Sequence, residues 1–354
     1  MTPPTASPAA PAGPVPPVRP RRRVTGMSAV LLALEADGSV AWDAFAAGVD
    51  RTVAEGLVPA VNMDTGYGPS LDPDTRRRVL AVAAEAVGDR EPVAGWRFVA
   101  GAHLDDPHAV LGGEAMVDGY RRAAAEVAAA GGVPIVFPSA GTAAQPEGEV
   151  APTLAAIAAA VDRLLGFELG RAFHPHGRIW TLDTYVEVLD VPAVVGAKHS
   201  SLRRAPEWDR LVARDSRRPG FLVLTGNDRA VDMVRWGSDY LLGLSTFDPG
   251  AFAVRDRLWE RGDPLVHEVD DAIQALGAVA FRDPVPAYRH DAALVWHRRG
   301  WAPSARVAEG TPTRPDGEAA LLAPLLEALD AVVAEAGAAG PGIGESRAAG
   351  AEVT

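Results

Sequence analysis

The sequence contains no cysteine. Disulfides, thiolate metal sites and cysteine nucleophiles are therefore excluded, and the composition suits a cytoplasmic chain. Lysine is almost as scarce: Lys198 is the only one among 34 lysine and arginine residues. No uninterrupted apolar run approaches membrane-spanning length, although 48% of the residues are hydrophobic. The net charge of −12 disfavours nucleic acid or an anionic membrane surface as the partner. Arg21-Arg22-Arg23 ahead of Met27 to Leu34 imitates a secretory signal. That apolar run is short, Glu35 and Asp37 follow it, and a small-residue cleavage site is lacking, so a cytoplasmic location is expected.

What is present is a regular alternation. Residues 1–23 are Pro/Ala-rich with a basic patch and read as a disordered tail, and residues 337–354 are Gly/Ala-rich and read as a second one. Between them, β-type runs fall at Ser28–Leu34, Ala60–Met63, Phe98–His103, Pro134–Pro138, Gly166–Leu169, Ala193–Ala197, Phe221–Thr225 and Tyr240–Ser245. Amphipathic stretches separate them, including a helix expected over Asp228–Arg235. Asp72-Pro73 and Asp248-Pro249 pair an N-cap with proline at the first helical position. The α/β pattern predicts a (β/α)₈ TIM barrel over residues 24–262 with an appended C-terminal helical layer over 263–336. An open doubly wound sheet is the alternative, but the first loop, Glu35-Ala36-Asp37-Gly38, is not a phosphate-binding loop.

In such a barrel the chemistry sits where strands end. Those ends carry Asp64-Thr65-Gly66-Tyr67, His103, Glu168, Lys198-His199-Ser200-Ser201, Thr225-Gly226-Asn227-Asp228 and Gly243. Lys198 closes the sixth strand. Arginine cannot shed its proton in a protein, whereas a lysine in an apolar barrel mouth can do so and attack a ketone. The plain competing reading is a structural lysine in an arginine-biased chain.

Val195-Gly196-Ala197-Lys198-His199-Ser200-Ser201 resembles the Schiff-base lysine strand of the dihydrodipicolinate synthase/N-acetylneuraminate lyase superfamily. Other landmarks follow in order over about residues 26–300. Asp64-Thr65-Gly66-Tyr67 resembles that family's Gly-Thr-Thr-Gly-Glu loop, Thr225-Gly226-Asn227-Asp228 its Gly-Asp-Asp turn, and Pro284-Val285-Pro286 its Pro-Ile-Pro segment. Lys198 to Leu202, Glu207-Trp208 and Gly237 to Phe247 resemble a divergent bacterial branch. The resemblance implies a class I lyase (aldolase or dehydratase in type) that acts on a small keto compound through Lys198. It implies no cofactor, and a homodimer or homotetramer. It places Asp64, Thr65, Gly66, His199, Ser200, Gly226, Asn227, Leu242 and Gly243 around the substrate.

Two departures stand out. The superfamily carries a proton-relaying tyrosine at the end of strand five, where this chain has Gly170, so Glu168 is the expected substitute, ahead of His199 and His174. A salt bridge to Arg171 or Arg178 is the competing role for Glu168. Asp64 also replaces a threonine that helps to bind a 2-keto acid, and a carboxylate there repels another. A keto-sugar or polyol derivative is the substrate this favours, unless Arg178 restores anion binding. Asp64, His103, Glu168 and His199 could instead hold a divalent metal for a sugar isomerase or aldolase. A non-catalytic sugar-binding barrel is the third reading.

Overall fold

Parallel pairing runs without a break from the first strand to the eighth and back, which closes the sheet into a barrel. The computed structural model describes residues 15–105 and 112–338. The strands are β1 Gly26–Ala29, β2 Val58–Val61, β3 Val99–Ala102, β4 Val133–Val136, β5 Leu164–Leu169, β6 Val194–Ser200, β7 Leu222–Thr225 and β8 Asp239–Leu242. Helices α1 Trp42–Ala54, α2 Pro73–Val87, α3 Gly113–Ala129, α4 Ala140–Ala144, α5 Val150–Ala158, α6 Leu182–Leu189, α7 Arg204–Arg217 and α8 Pro249–Arg261 fill the connections. Asp72 and Asp248 cap α2 and α8, accepting from Thr75 N and Ala251 N at 2.9 and 3.0 Å. Each cap satisfies one of the amide groups a helix start leaves without a partner.

The eight expected strands are all present with shifted limits: β1 is shorter than expected, and β5 and β6 are longer. Val30–Leu34 continues beyond β1: Val30 N still donates to Ala60 O of β2 at 2.9 Å, Leu31 N turns to Thr246 Oγ1 at 3.2 Å, and Ala33 O accepts from Ala41 N at 2.9 Å. Between β7 and β8 the expected helix is only a 3₁₀ turn, Val231–Trp236. Arg229 N is taken by Asn227 Oδ1 at 3.2 Å, which spends the first turn on a local loop, and Gly237 at φ +108° ends the segment.

Side chains alternate between two apolar environments. Met27, Ala29, Val58, Ala60, Val99, Ile135, Leu165, Phe167, Leu169, Leu224 and Leu241 fill the barrel interior. Outward residues such as Phe98, Tyr240 and Leu242 join the layer under the helices. Helices α9 Val266–Ala280, α10 Tyr288–Arg298 and α11 Glu318–Ala338 form the C-terminal layer. Arg314, on the strap between α10 and α11, is buried beneath it and donates to Asp291 Oδ2 at 2.9 Å and Ala280 O at 2.6 Å. That layer matters for function because α10 starts at the barrel mouth.

Part of the N-terminal tail expected over residues 1–23 is fastened to the barrel. Residues 1–14 lie outside the described residues, but Arg19 N donates to Arg235 O at 2.7 Å. Arg22 donates to Asp239 Oδ1 at 3.1 Å and to Val234 O at 3.2 Å. These contacts fasten the basic stretch to the barrel end opposite the strand termini. Removing residues 1–14 should leave the melting temperature almost unchanged, because that composition buries little apolar surface. Removing residues 1–23 strips the Arg22 guanidinium from the buried Asp239 carboxylate, which keeps only Thr25 N, and should cost about 1–3 kcal/mol. Thermal unfolding of the two truncations checks this, and equal melting points would contradict it.

Candidate active site

Strand register decides which candidate residues meet. In β5 and β6, Phe167 pairs with Lys198 and Glu168 with His199. Paired residues share a face of the sheet, and Phe167 belongs to the barrel interior, so Lys198 points inward while Glu168 and His199 point toward the helices. The Lys198 ammonium nitrogen lies 4.7 Å from the centre of the Phe167 ring, and the residue is 4% exposed. Ser200, the next inward residue, is buried with its Oγ lacking any partner. The turn after β7 passes over both side chains: a Cβ at Gly226 would lie 2.7 Å from Lys198 Cε and within 2.0 Å of Ser200 Oγ, so any side chain there would displace them.

The loop after β2 supplies the opposite wall. Asp64 is buried and its Oδ2 accepts from the phenol of Tyr288 at 2.9 Å, while Oδ1 is without a partner. The same phenol meets Thr65 Oγ1 at 2.8 Å. Tyr288 is the first residue of α10, so the C-terminal layer contributes a hydroxyl to the mouth. Burial pushes that phenol well above its ordinary range. Gly243 lies against this group, with Thr65 Oγ1 3.2 Å from where a Cβ would stand. Asn62 and Tyr67 bracket the loop at φ +52° and +59°, a conformation that costs non-glycine residues of order 1–3 kcal/mol each.

Asp228, at the end of the β7 turn, completes the mouth. It is 2% exposed and its Oδ1 accepts from Leu244 N at 2.7 Å. Burial raises its carboxyl to about 7 against the pull of Lys198, and the charge of Asp64 adds to the rise. The inner wall thus presents one amine, two carboxyls, the phenol of Tyr288 and the hydroxyls of Thr65 and Ser200.

Other expected residues lie elsewhere. The Glu168 carboxylate, fully buried behind β5, accepts from Arg210 Nη2 at 2.7 Å and Nε at 3.0 Å. It also accepts from Trp180 N at 3.0 Å and pairs with His199 Nδ1 at 2.9 Å. Burial alone would raise its pKa, but the Arg210 guanidinium and His199 outweigh that and hold it at about 2. A carboxylate so committed is no proton relay at the mouth, and its ion-pair partner is Arg210, not Arg171 or Arg178. His199 points the same way, its Nε2 meeting Ser201 Oγ at 2.7 Å, so it does not face the substrate. Leu242 packs under the helices for the same reason of parity. Asn227 spends its side chain on its own turn, and Gly66 N donates to Met63 O at 3.1 Å. Arg178 is engaged by Glu147, its Nε at 3.1 Å, which leaves it occupied as an anion site.

The metal constellation is likewise not assembled. Glu168 and His199 lie outside the barrel wall, Asp64 inside it, and His103 is stacked on Phe137 with Nε2 2.8 Å from Asn62 O. Among the described residues, no group of three or more His, Asp or Glu side chains could hold a metal ion. Burial lowers the His103 pKa to about 3, so its ring is neutral.

No family model matches the sequence, and no curated protein is significantly similar to it. Solved structures do match. A prophage protein of the dihydrodipicolinic acid synthase family from E. coli K12, solved with pyruvate, superposes with a TM-score of 0.73 at 17% identity, covering 86% of this chain and 98% of its own. The dihydrodipicolinate synthase of Aquifex aeolicus gives 0.70 at 15% identity, covering 87% and 98%. The sialic acid aldolase of Ruminococcus gnavus gives 0.69 at 15% identity, covering 90% and 99%. At such identities the likeness establishes a shared barrel fold that includes the C-terminal layer.

Proposed function

We propose that this chain is a Schiff-base lyase of the dihydrodipicolinate synthase/N-acetylneuraminate lyase superfamily, aldolase or dehydratase in type. The observation that carries the reading is the placement of the only lysine: buried, on the inner face of β6, at the strand end where barrels of this kind do their chemistry. Lys198 Nζ attacks the carbonyl carbon of a small ketone, water leaves, and an iminium ion forms. That cation accepts the electron pair of a neighbouring carbon–carbon bond in an aldol cleavage, or of a neighbouring carbon–hydrogen bond in a dehydration, where the resulting enamine then expels the β-oxygen as water. The neighbours, whose names mark them as synthases and an aldolase, support the same class of chemistry. The tests are reductive trapping of a ketone on the chain and the loss of that adduct when Lys198 is replaced.

The charge of the mouth argues for the substrate class. The charges of Lys198 and Asp64 both act on Asp228, and Asp64 Oδ1 has no partner. A substrate carboxylate brought here meets like charge, whereas a hydroxyl donates to the unpartnered oxygen. The substrate is therefore a neutral, hydroxyl-rich ketone such as a keto-sugar fragment. Asp64→Thr removes the repulsion and the charged acceptor together. Borohydride trapping of pyruvate should rise in the variant, and that of dihydroxyacetone should fall by roughly 10- to 150-fold, as expected for a lost hydrogen bond to a charged group of about 1.5–3 kcal/mol. Efficient trapping of pyruvate by the unaltered chain would contradict the substrate class and point to Arg289, which reaches Asp64 O at 3.4 Å, as a carboxylate anchor.

A further inference from the structure

We infer that Asp228 carries the proton between the iminium and the enamine in this active site, taking the place of a hydroxyl at the end of β5. The inference rests on the Schiff-base reading of Lys198 and names the group that reading leaves unassigned.

The end of β5 cannot supply a proton carrier. Gly170 N donates to Ser200 O at 3.0 Å, and a Cβ on Gly170 would stand 2.7 Å from that same oxygen. No side chain fits there without parting β5 from β6. Glu168 faces the helices and is saturated by Arg210, His199 and Trp180 N. Asp64 is bound by the Tyr288 phenol, which burial holds in its protonated form.

Asp228 stands on the turn that meets Lys198. That turn lies against Lys198 Cε at Gly226, two residues before Asp228, and the charge of Lys198 acts on the Asp228 carboxyl. The amide of Leu244 fixes Oδ1, which orients the group. Its raised pKa, about 7, lets it hold or release a proton near neutrality, where proton transfer is most effective. The step balances without any further reactant. The carboxylate removes a proton from the carbon next to the iminium carbon. The freed C–H electron pair forms a carbon–carbon double bond, and the C=N pair returns to the Lys198 nitrogen. The protonated carboxyl then returns the proton to that carbon, and the nitrogen pair re-forms C=N, which restores the iminium.

The experiment separates adduct formation from proton transfer. Dihydroxyacetone incubated with the full chain in D₂O should exchange its carbon-bound protons, followed by NMR. In Asp228→Asn the amide oxygen still accepts from Leu244 N, so the fold and the borohydride adduct on Lys198 should persist. Exchange should fall by roughly 10²–10⁴-fold, the usual contribution of a positioned acid–base group. Asp228→Glu, which keeps the carboxyl, should recover part of it. Exchange by Asp228→Asn at the unaltered rate would overturn the inference. So would loss of the adduct in a folded Asp228→Asn chain, which would make Asp228 a positioning residue for Lys198. Absence of any adduct on the unaltered chain is the separate result that removes the Schiff-base reading itself.

Discussion

Lys198→Arg and Lys198→Met should each lose turnover of a ketone substrate by roughly a thousandfold or more, with no covalent adduct after borohydride. Arginine keeps the positive charge but cannot supply a free electron pair at any pH a protein survives. Methionine keeps the length and apolar stem of the side chain without its charge. The pair therefore distinguishes a nucleophile from a structural cation. If Lys198 only neutralised Asp228 and Asp64, arginine would rescue much of the activity and methionine would not. The enclosure is tight, with Gly226 against Cε, so circular dichroism and melting curves must accompany the assay. Comparable turnover by the arginine variant would exclude the imine.

Glu168→Gln should have its effect on stability, at about 3–5 kcal/mol, because it leaves Arg210 buried without its counter-charge. The variant that remains folded should still form the adduct, since the carboxylate lies behind the barrel wall. The pH dependence follows from the depressed pKa. Glu168 sits at about 2 in the folded chain against an ordinary 4.5, so its stabilising contribution is complete above the unfolded value and disappears as pH falls toward 2. Denaturant unfolding between pH 7 and pH 3 should show the unaltered chain losing more stability than Glu168→Gln. Equal slopes, or loss of the adduct from a folded variant, would return Glu168 to the active site.

The barrel was legible because its signals are local. Apolar runs bounded by turn residues marked all eight strands, and Asp72-Pro73 and Asp248-Pro249 fixed two helix starts. The site was legible only in part because facing depends on parity and register. With Lys198 inward, His199 must point outward, a consequence the period of a strand already contains. Glu168 needed the pairing of β5 with β6, which includes a shift near Leu164/Leu165 that no residue pattern reveals. Asp228 was within the recognised turn but looked like the start of a helix, whereas in the structure the 3₁₀ segment begins only at Val231 and the Asp228 carboxyl is held by Leu244 N. Tyr288 carried no signal at all. It reaches Asp64 and Thr65 only because the C-terminal layer folds back over the strand ends.

The scarcity of lysine makes the central claim unusually direct to test. Lys198 and the chain's own α-amine are the only primary amines present. Dihydroxyacetone with borohydride, followed by intact mass and peptide mapping, therefore has just two places where a secondary amine can appear. The account predicts one adduct per chain, on the peptide containing Lys198, formed by the folded protein and abolished by prior unfolding. Modification confined to the α-amine, with Lys198 recovered unchanged from a folded chain, would contradict it.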